Sequence, residues 1–288
     1  MEKFTIKTFN ETYPNDDACL DEIFNSRYGD LHVCPNCKRE TKFYRIGSRK
    51  TYGCKFCGYQ LSPTAGTIFH KSSTSLKNWF YALFLFASSK NGVSAKELQR
   101  QLGVTYKTAW RMAKQIRLLF AENIDQLDGI VEIDETFYGG KGVNRRFKLS
   151  KPEDKTPVMG MLQRGGKIIA KPVLNTGKGT LLPEIQKNIS LDAKIISDEF
   201  NSYTNLHKLG YDHSIVRHLE TYVKGEIHTN TIEGFWSQLK RSVDGTYHAI
   251  SKKYLSSYVN EFSFRYNYRK LESPIFSLML SRAVTPLG

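Results

Sequence analysis

Three carboxylates, Asp134, Asp198 and Glu233, occupy positions from which they can act together. Asp134 stands near the end of the strand-like run IVEIDETF, and Asp198 ends a second such run, AKIISDEF. Glu233 lies early in NTIEGFWSQLKRSV, with 34 residues between it and Asp198. Breaking and remaking a phosphodiester needs an activated oxygen nucleophile and a stabilised leaving oxygen. Two divalent ions about 3.5–4 Å apart provide both. Mg²⁺ (or Mn²⁺) takes oxygen ligands and keeps several waters, so three protein carboxylates suffice for two ions. Lys240 follows Glu233 by seven residues, two helical turns along nearly the same face, where it can hold a phosphate. Arg241, Lys252 and Lys253 extend that basic surface. Glu135 cannot replace Asp134, because neighbours on a strand face opposite ways, whereas Glu132 shares its face. Glu233 has a second reading, as the N3 member of a capping box opened by Asn230. The two readings are compatible. His228 and His248 flank this block and have two readings, contact with a phosphate or the scissile strand and, ahead of it, ordinary hydrogen bonding.

A second constellation lies upstream. Cys34-Pro35-Asn36-Cys37 and Cys54-Lys55-Phe56-Cys57 are two CxxC pairs separated by sixteen residues. This is zinc-ribbon spacing. Four thiolates close a tetrahedral site with no open position, so one Zn²⁺ here is structural. A redox pair would need only one CxxC. Gly58 gives the second knuckle its turn. His32 and His70 lie near, but four cysteines already satisfy the ion. The fifth cysteine, Cys19, falls on one apolar helical face with Leu20, Ile23 and Phe24 and reads as core.

The sequence between these two constellations predicts helices. LKNWFYALFLFAS, 76–88, reads as a buried helix. Ser94 with Glu97 opens another, Gly103 ends it, and Thr105 caps the next. A short helix, a glycine turn and a second helix make the helix-turn-helix pattern. The second helix would present Thr105, Lys107, Thr108 and Arg111 early, where such motifs meet base edges or phosphates. The 288-residue chain carries a formal net charge of +14, which points to a polyanionic partner.

The elements needed to position the acids follow in order. After Gly129 come one strand, then a hairpin about Gly165-Gly166, a helix through TLLPEIQKNI, the Asp198 strand, a further helix, the strand DHSIVRH, and the Glu233 helix. Ile232, Phe235 or Trp236, Leu239 and Val243 form the apolar stripe of that last helix. The predicted class is α/β, with a ribonuclease H-like mixed five-stranded sheet and flanking helices. Three regions are expected: an N-terminal helix and zinc ribbon in 1–70, the helix-turn-helix region in 71–125, and the catalytic domain in 126–288.

The blocks VEIDETFYGGK, IISDEFNSYTNL, HTNTIEGFWSQLKRSVDGTYHAIS and YVNEFSFRYNYR resemble insertion-sequence transposases of the DDE superfamily. More narrowly, they are similar to the ISXO2-like group, which carries a zinc ribbon ahead of the catalytic domain. The resemblance covers nearly the whole chain. It implies Asp134, Asp198 and Glu233 as the metal-binding triad and Lys240 as a helper cation. It also implies double-stranded DNA as partner, both terminal inverted repeats and target, with a homodimer or larger assembly to pair two ends. Arg265 and Arg269 in the last block have two readings, DNA contact or salt bridge. Two alternatives remain: a structure-specific nuclease on the same fold, and a non-catalytic zinc-ribbon and helix-turn-helix regulator. No apolar run reaches the roughly 20 residues of a membrane span. The N-terminal residues lack the apolar core of a secretory signal. The expected setting is the nucleoid in a prokaryotic cytoplasm.

Arg111 supplies the first test. If it reads a base, Arg111→Ala weakens binding to the element ends by about 1–3 kcal/mol. An equal loss on unrelated DNA marks a phosphate contact, and no loss removes this helix from the interface. Anisotropy titrations on both duplexes distinguish the three outcomes.

Overall fold

The computed structural model describes residues 4–47, 49–139, 155–216, 227–271 and 273–286. The chain gathers into two compact units, residues 1–119 with 271–288, and residues 120–270.

The first unit opens with α1 (Ile6–Thr12) and α2 (Asp16–Tyr28). A three-stranded antiparallel sheet follows, built of β1 (Phe43–Ile46), β2 (Thr51–Cys54) and β3 (Gln60–Leu61). Then come α3 (Leu76–Ser88), α4 (Ala95–Leu102) and α5 (Tyr106–Leu118). Each of these five helices starts at a residue whose side chain accepts the amide three places on: Thr5, Asn15, Ser75, Ser94 and Thr105. Gly103 sits in the left-handed region at φ 63° and closes α4, as the sequence predicts. The fully buried face of α3 carries Trp79, Phe80, Leu83 and Phe86. Cys19 is buried too, a core residue as expected.

The cysteine knuckles are nearly superposable in their bonding. The amide of Lys38 donates to Cys34 O at 3.0 Å, and that of Gly58 to Cys54 O at 3.0 Å. Both residues take positive φ, 60° and 68°. The four Sγ atoms lie within 4.8 Å of one another. Cys34 and Cys57 are 3.7 Å apart, and Cys37 and Cys54 are 3.9 Å apart. Sulfurs about 2.3 Å from a tetrahedral zinc stand about 3.8 Å from each other, so the donor set fits Zn²⁺. Donors already point at two sulfurs: the Phe56 amide at Cys54, 3.4 Å, and Asn36 Nδ2 at Cys57, 3.6 Å.

The second unit holds β4 (Ile130–Tyr138), β5 (Thr156–Gln163), β6 (Ile168–Pro172), α6 (Lys178–Asn188), β7 (Lys194–Ser197), β8 (Asp212–Ile215), α7 (Asn230–Ser242) and α8 (Leu255–Asn267). The sheet order is β6-β5-β4-β7-β8. β4, β5 and β6 run antiparallel to one another in turn, with Gly165 at φ 71° turning the β5–β6 hairpin. β7 and β8 add in parallel beyond β4. Both faces are covered. Val131, Ile133, Met159, Met161 and Ile195 pack with Leu181 and Ile185 of α6. Val158, Leu162 and Ile168 pack with Ile232, Trp236 and Leu239 of α7 and Val259 and Phe262 of α8.

One element differs from expectation. Between β7 and β8 the chain makes two 3₁₀ turns, Asn201–Tyr203 and His207–Leu209, where a helix is predicted. Gly210, at φ 90°, stops the second turn before a helix can grow. Arg217 and His218 of the expected fifth strand, and Gly140 and Lys141 of the first block, lie outside the described residues. The last helix, α9 (Ile275–Val284), belongs to the first unit, where Phe276 stacks on Phe4 at 4.7 Å and meets Phe9, Tyr13 and Phe80. Among the described residues, no helix is long and apolar enough to cross a membrane.

The sulfur geometry predicts one Zn²⁺ per chain by elemental analysis. Cys37→Ser should drop that content and unfold the ribbon, since site assembly and local folding are coupled. Wild-type protein purified without zinc, yet with the same melting profile, would overturn this.

Candidate active site

β4 is the central strand, and its register positions the acids. Ile130 pairs with Lys194, Val131 with Ile195 and Glu132 with Ile196. Asp198 directly follows Ser197, the last residue of β7, and its charge is felt by Asp134 on the neighbouring strand. The Asp134 carboxylate looks toward α7.

α7 keeps step with β4. The amides of Thr231 and Ile232 donate to Glu132 Oε2, each at 2.9 Å, and Thr231 Oγ1 donates to Oε1 at 2.9 Å. Trp236 Nε1 donates to Asp134 Oδ2 at 3.1 Å. From 232 to 236 a helix advances about 6 Å. From 132 to 134 a strand advances about 6.6 Å. Helix and strand therefore run side by side in the same direction. Close approach is possible because Asp134 pairs with Gly160, where an added Cβ would stand 2.5 Å from the Trp236 ring.

Glu132 is fully buried. Besides capping α7 it takes Arg164 Nε at 2.6 Å, and Arg164 Nη2 reaches His228 O at 2.7 Å and His228 Nδ1 at 3.1 Å. The sequence left Glu132 as a residue sharing the Asp134 face. The structure gives it the first turn of α7, and this corrects the capping-box reading. The N-cap is Thr229, not Asn230, and a carboxylate from another strand satisfies the free amides. Glu233 is thereby released from capping. Its Oε1 accepts only a side-chain bond among those described, from Thr229 Oγ1 at 2.8 Å, and it is exposed.

Asp134 feels the other two acids. Burial, with the nearby charges of Asp198 and Glu233, pushes the Asp134 carboxyl up to about 6, against the amide of Glu135 and the Trp236 indole, which favour its ionised form. Such crowding of like charge is what a divalent cation relieves. Glu135 points to the other face, as predicted, where Tyr203 donates to it. Burial raises its carboxyl to about 7. Asp198 Oδ1 accepts the Phe200 amide at 3.1 Å. Ser197 Oγ donates to Asp198 O at 2.9 Å and lies 2.8 Å from His213 Nε2. Burial, then His207, lowers the His213 ring to about 4, so it is neutral and donates from Nε2 to Ser197. Nothing in the spacing of Ser197 and His213 marks this support.

Lys240 and Arg241 lie exposed at the far end of α7, with Arg241 Nη1 3.0 Å from Ser237 Oγ. Arg265 forms an ion pair with buried Glu261 at 2.8 Å, and Arg269 stacks on Tyr266 at 3.8 Å. In the first unit Thr105, Lys107 and Arg111 of α5 are exposed and Thr108 half-buried; the Arg111 guanidinium lies 5.9 Å from the Trp79 ring centre.

Residues 126–267 match the ISXO2-like transposase domain, and residues 14–60 the transposase zinc-ribbon domain. An uncharacterised protein in transposable element ISH50 of Halobacterium salinarum is 28% identical over 278 residues, 88% of this chain and 92% of that protein. An uncharacterised transposase-like protein of Haemophilus influenzae is 28% identical over 109 residues, 38% of this chain and 88% of its own length. Among solved structures, a pre-cleavage Mos1 transpososome aligns with 71% of this chain and 78% of its own, at 13% identity and a TM-score of 0.23, too slight a likeness to carry detail across.

The Glu132 network predicts a large stability effect. Glu132→Ala leaves Arg164 without its buried partner and two helix amides unpaired, at a cost of about 3–5 kcal/mol. Urea unfolding of the zinc-loaded chain measures it. A loss below about 1 kcal/mol would reduce the network to an ordinary surface pair.

Proposed function

We propose, from the premise that this chain belongs to the ISXO2-like transposases that carry a transposase zinc ribbon, that it cuts and joins DNA at the ends of an insertion sequence. The observation that carries this is that Asp134, on the strand paired with β7, is close enough to feel the charges of both Asp198 and Glu233. Asp134, Asp198 and Glu233 would hold two Mg²⁺ or Mn²⁺ ions. An all-oxygen donor set suits these ions. Once bound, they supply a water activated for attack and a stabilised leaving oxygen. Donors orient each carboxylate: the Glu135 amide and the Trp236 indole at Asp134, the Phe200 amide at Asp198 and the Thr229 hydroxyl at Glu233. Lys240 holds a phosphate of the cut strand, and the liberated 3′-OH then attacks target DNA.

The sheet order β6-β5-β4-β7-β8, with its antiparallel and parallel halves, supports a ribonuclease H-like reading of residues 126–267. α4, the Gly103 turn and α5 support a helix-turn-helix reading of 71–125. On that reading Thr105, Lys107, Thr108 and Arg111 meet the terminal inverted repeats, and Arg241 meets DNA at the catalytic unit. The ribbon in 1–70 adds a zinc-braced surface to the same task. Pairing two element ends calls for at least two copies of the chain.

Glu233→Gln tests the assignment. Because capping belongs to Glu132, the variant should melt like the wild type and still bind the repeats. It should neither cleave nor join DNA in Mg²⁺, since a neutral amide is a poor ligand for that ion. Asp134→Asn and Asp198→Asn should lose activity equally, because the acids act as one unit. Near-normal joining by Glu233→Gln would exclude it as the third ligand. Wild-type cleavage without joining would favour a nuclease, and neither activity would favour a DNA-binding regulator.

A further inference from the structure

A cavity of about 630 Å³ opens beyond the carboxylates, between the far end of β4 and the turn that follows α7. Pockets of about 300–1,000 Å³ take small molecules or single residues of a polymer. Its lining mixes three kinds of group. Lys240 and Lys252 bring positive charge, Asp244 brings negative charge, and Phe137 and Tyr138 bring rings.

Tyr138 is the key observation. Its hydroxyl is buried and has no hydrogen-bond partner among the described residues. A buried polar group left unpaired is rare and calls for an explanation. Burial first, then the charge of Asp244, holds this hydroxyl protonated far above neutrality, so it is a donor. Asp244 is close enough to be felt and yet does not bond to it. Tyr138 and Asp244 thus line one space, a hydroxyl kept in its protonated form near an acceptor-only carboxylate, without satisfying each other.

The backbone at the rim is also unusual. α7 runs into a π-helical turn, Val243–Tyr247, and His248 follows at φ 59°. His248 is one of three non-glycine residues at positive φ among the described residues. Both features cluster at functional sites. The π-turn brings Asp244 and His248 to the same wall, with His248 Nδ1 2.9 Å from Asp244 O.

We propose that this cavity takes one unpaired nucleotide of the DNA strand being processed. Lys240 and Lys252 receive its phosphate, and the edge of its base lies between Tyr138 and Asp244. The Watson–Crick edge of every base carries a donor beside an acceptor, which matches a carboxylate beside a hydroxyl donor. Phe137, half exposed at the rim, offers a ring for stacking. Asp244 argues against a plain anion site, since it would repel a free phosphate. Tyr138 lies four residues past Asp134, about 13 Å along the strand. A strand whose scissile phosphate sits at the carboxylates reaches the cavity within a few nucleotides. This inference rests on the transposase reading above.

The test uses the full-length, zinc-loaded chain without added Mg²⁺, so that no cutting occurs. A fluorescein-labelled blunt duplex is compared with the same duplex bearing a short single-stranded tail. Wild type should prefer the tailed duplex by about ten-fold, the contribution of one stacked base. Deoxyadenosine monophosphate should compete for that preference, and inorganic phosphate should not. Tyr138→Phe keeps the ring and removes only the hydroxyl. It and Lys252→Gln should each abolish most of the preference, read as the ratio of tailed-duplex to blunt-duplex affinity so that any general loss of phosphate contact cancels. If Tyr138→Phe melts early, Lys252→Gln, at an exposed position, decides alone. Equal binding of the two duplexes by wild type, or full tail preference in Lys252→Gln, overturns the proposal. Failure of wild type to cleave or join in Mg²⁺, scored separately, would sink the transposase reading whatever the tail result.

Discussion

The second unit is organised by one buried carboxylate. Glu132 sits inside the sheet-helix interface, where an ionised acid survives only if its oxygens are fully engaged. Two helix amides, a threonine hydroxyl and a guanidinium engage them. The positive end of the α7 dipole adds to the attraction. The result is a fixed point between β4 and α7. From that point the equal advance of helix and strand sets Trp236 on Asp134. Gly160 then lets the two elements close to contact. Glu233 follows directly on the capped amides, so its backbone is held beside β4. A change at Glu132 would therefore be felt at Asp134 and Glu233.

The same unit carries strain of an electrostatic kind. Asp134 and Glu135 are both pushed upward by burial, on opposite faces of one strand. A carboxyl whose folded value stands above its ordinary one binds its proton more tightly in the folded state. The stability it gives is present at low pH and is lost as pH rises from about 3.8 toward about 6 for Asp134. At neutral pH the metal-free site thus works against folding, and cations held by the acids would reverse that. The hydrophobic packing on both sheet faces, with α6 on one and α7 and α8 on the other, is what tolerates it.

The first unit is built differently. Its three-stranded sheet is too short to make a core of its own: β3 has two residues. Two braces compensate. One is the thiolate cluster, whose sulfur spacing already suits zinc. The other is α2, which stacks Phe24 on Tyr52 at 3.9 Å and pairs Asp17 with Arg45. The helices then share an aromatic core in which Phe9, Phe84 and Phe276 come from α1, α3 and α9.

Local chemistry was legible in the sequence. Ser94 and Thr105 cap their helices, Gly103 turns left-handed between them, and the 76–88 helix is buried, because capping, turn geometry and apolar content act within a few residues. The CxxC pairs and the α7 stripe belong to the same class. Contacts across the chain were not legible. The β4–β7 pairing that brings Asp198 within reach of Asp134 depends on how two distant strands slide against each other, and no residue in either states it. The capping of α7 by a glutamate about 100 residues away defeated a local rule that named Asn230 and Glu233, because a buried charge with four donors outcompetes an exposed capping box. The return of α9 to the first unit follows from Phe276 finding an aromatic pocket assembled from three other segments. Sequence alone determined which groups this chain has for chemistry and the elements that carry them. Tertiary structure decided which of them meet, because strand register and helix docking are settled by burial summed over the whole core rather than by any neighbour in the chain.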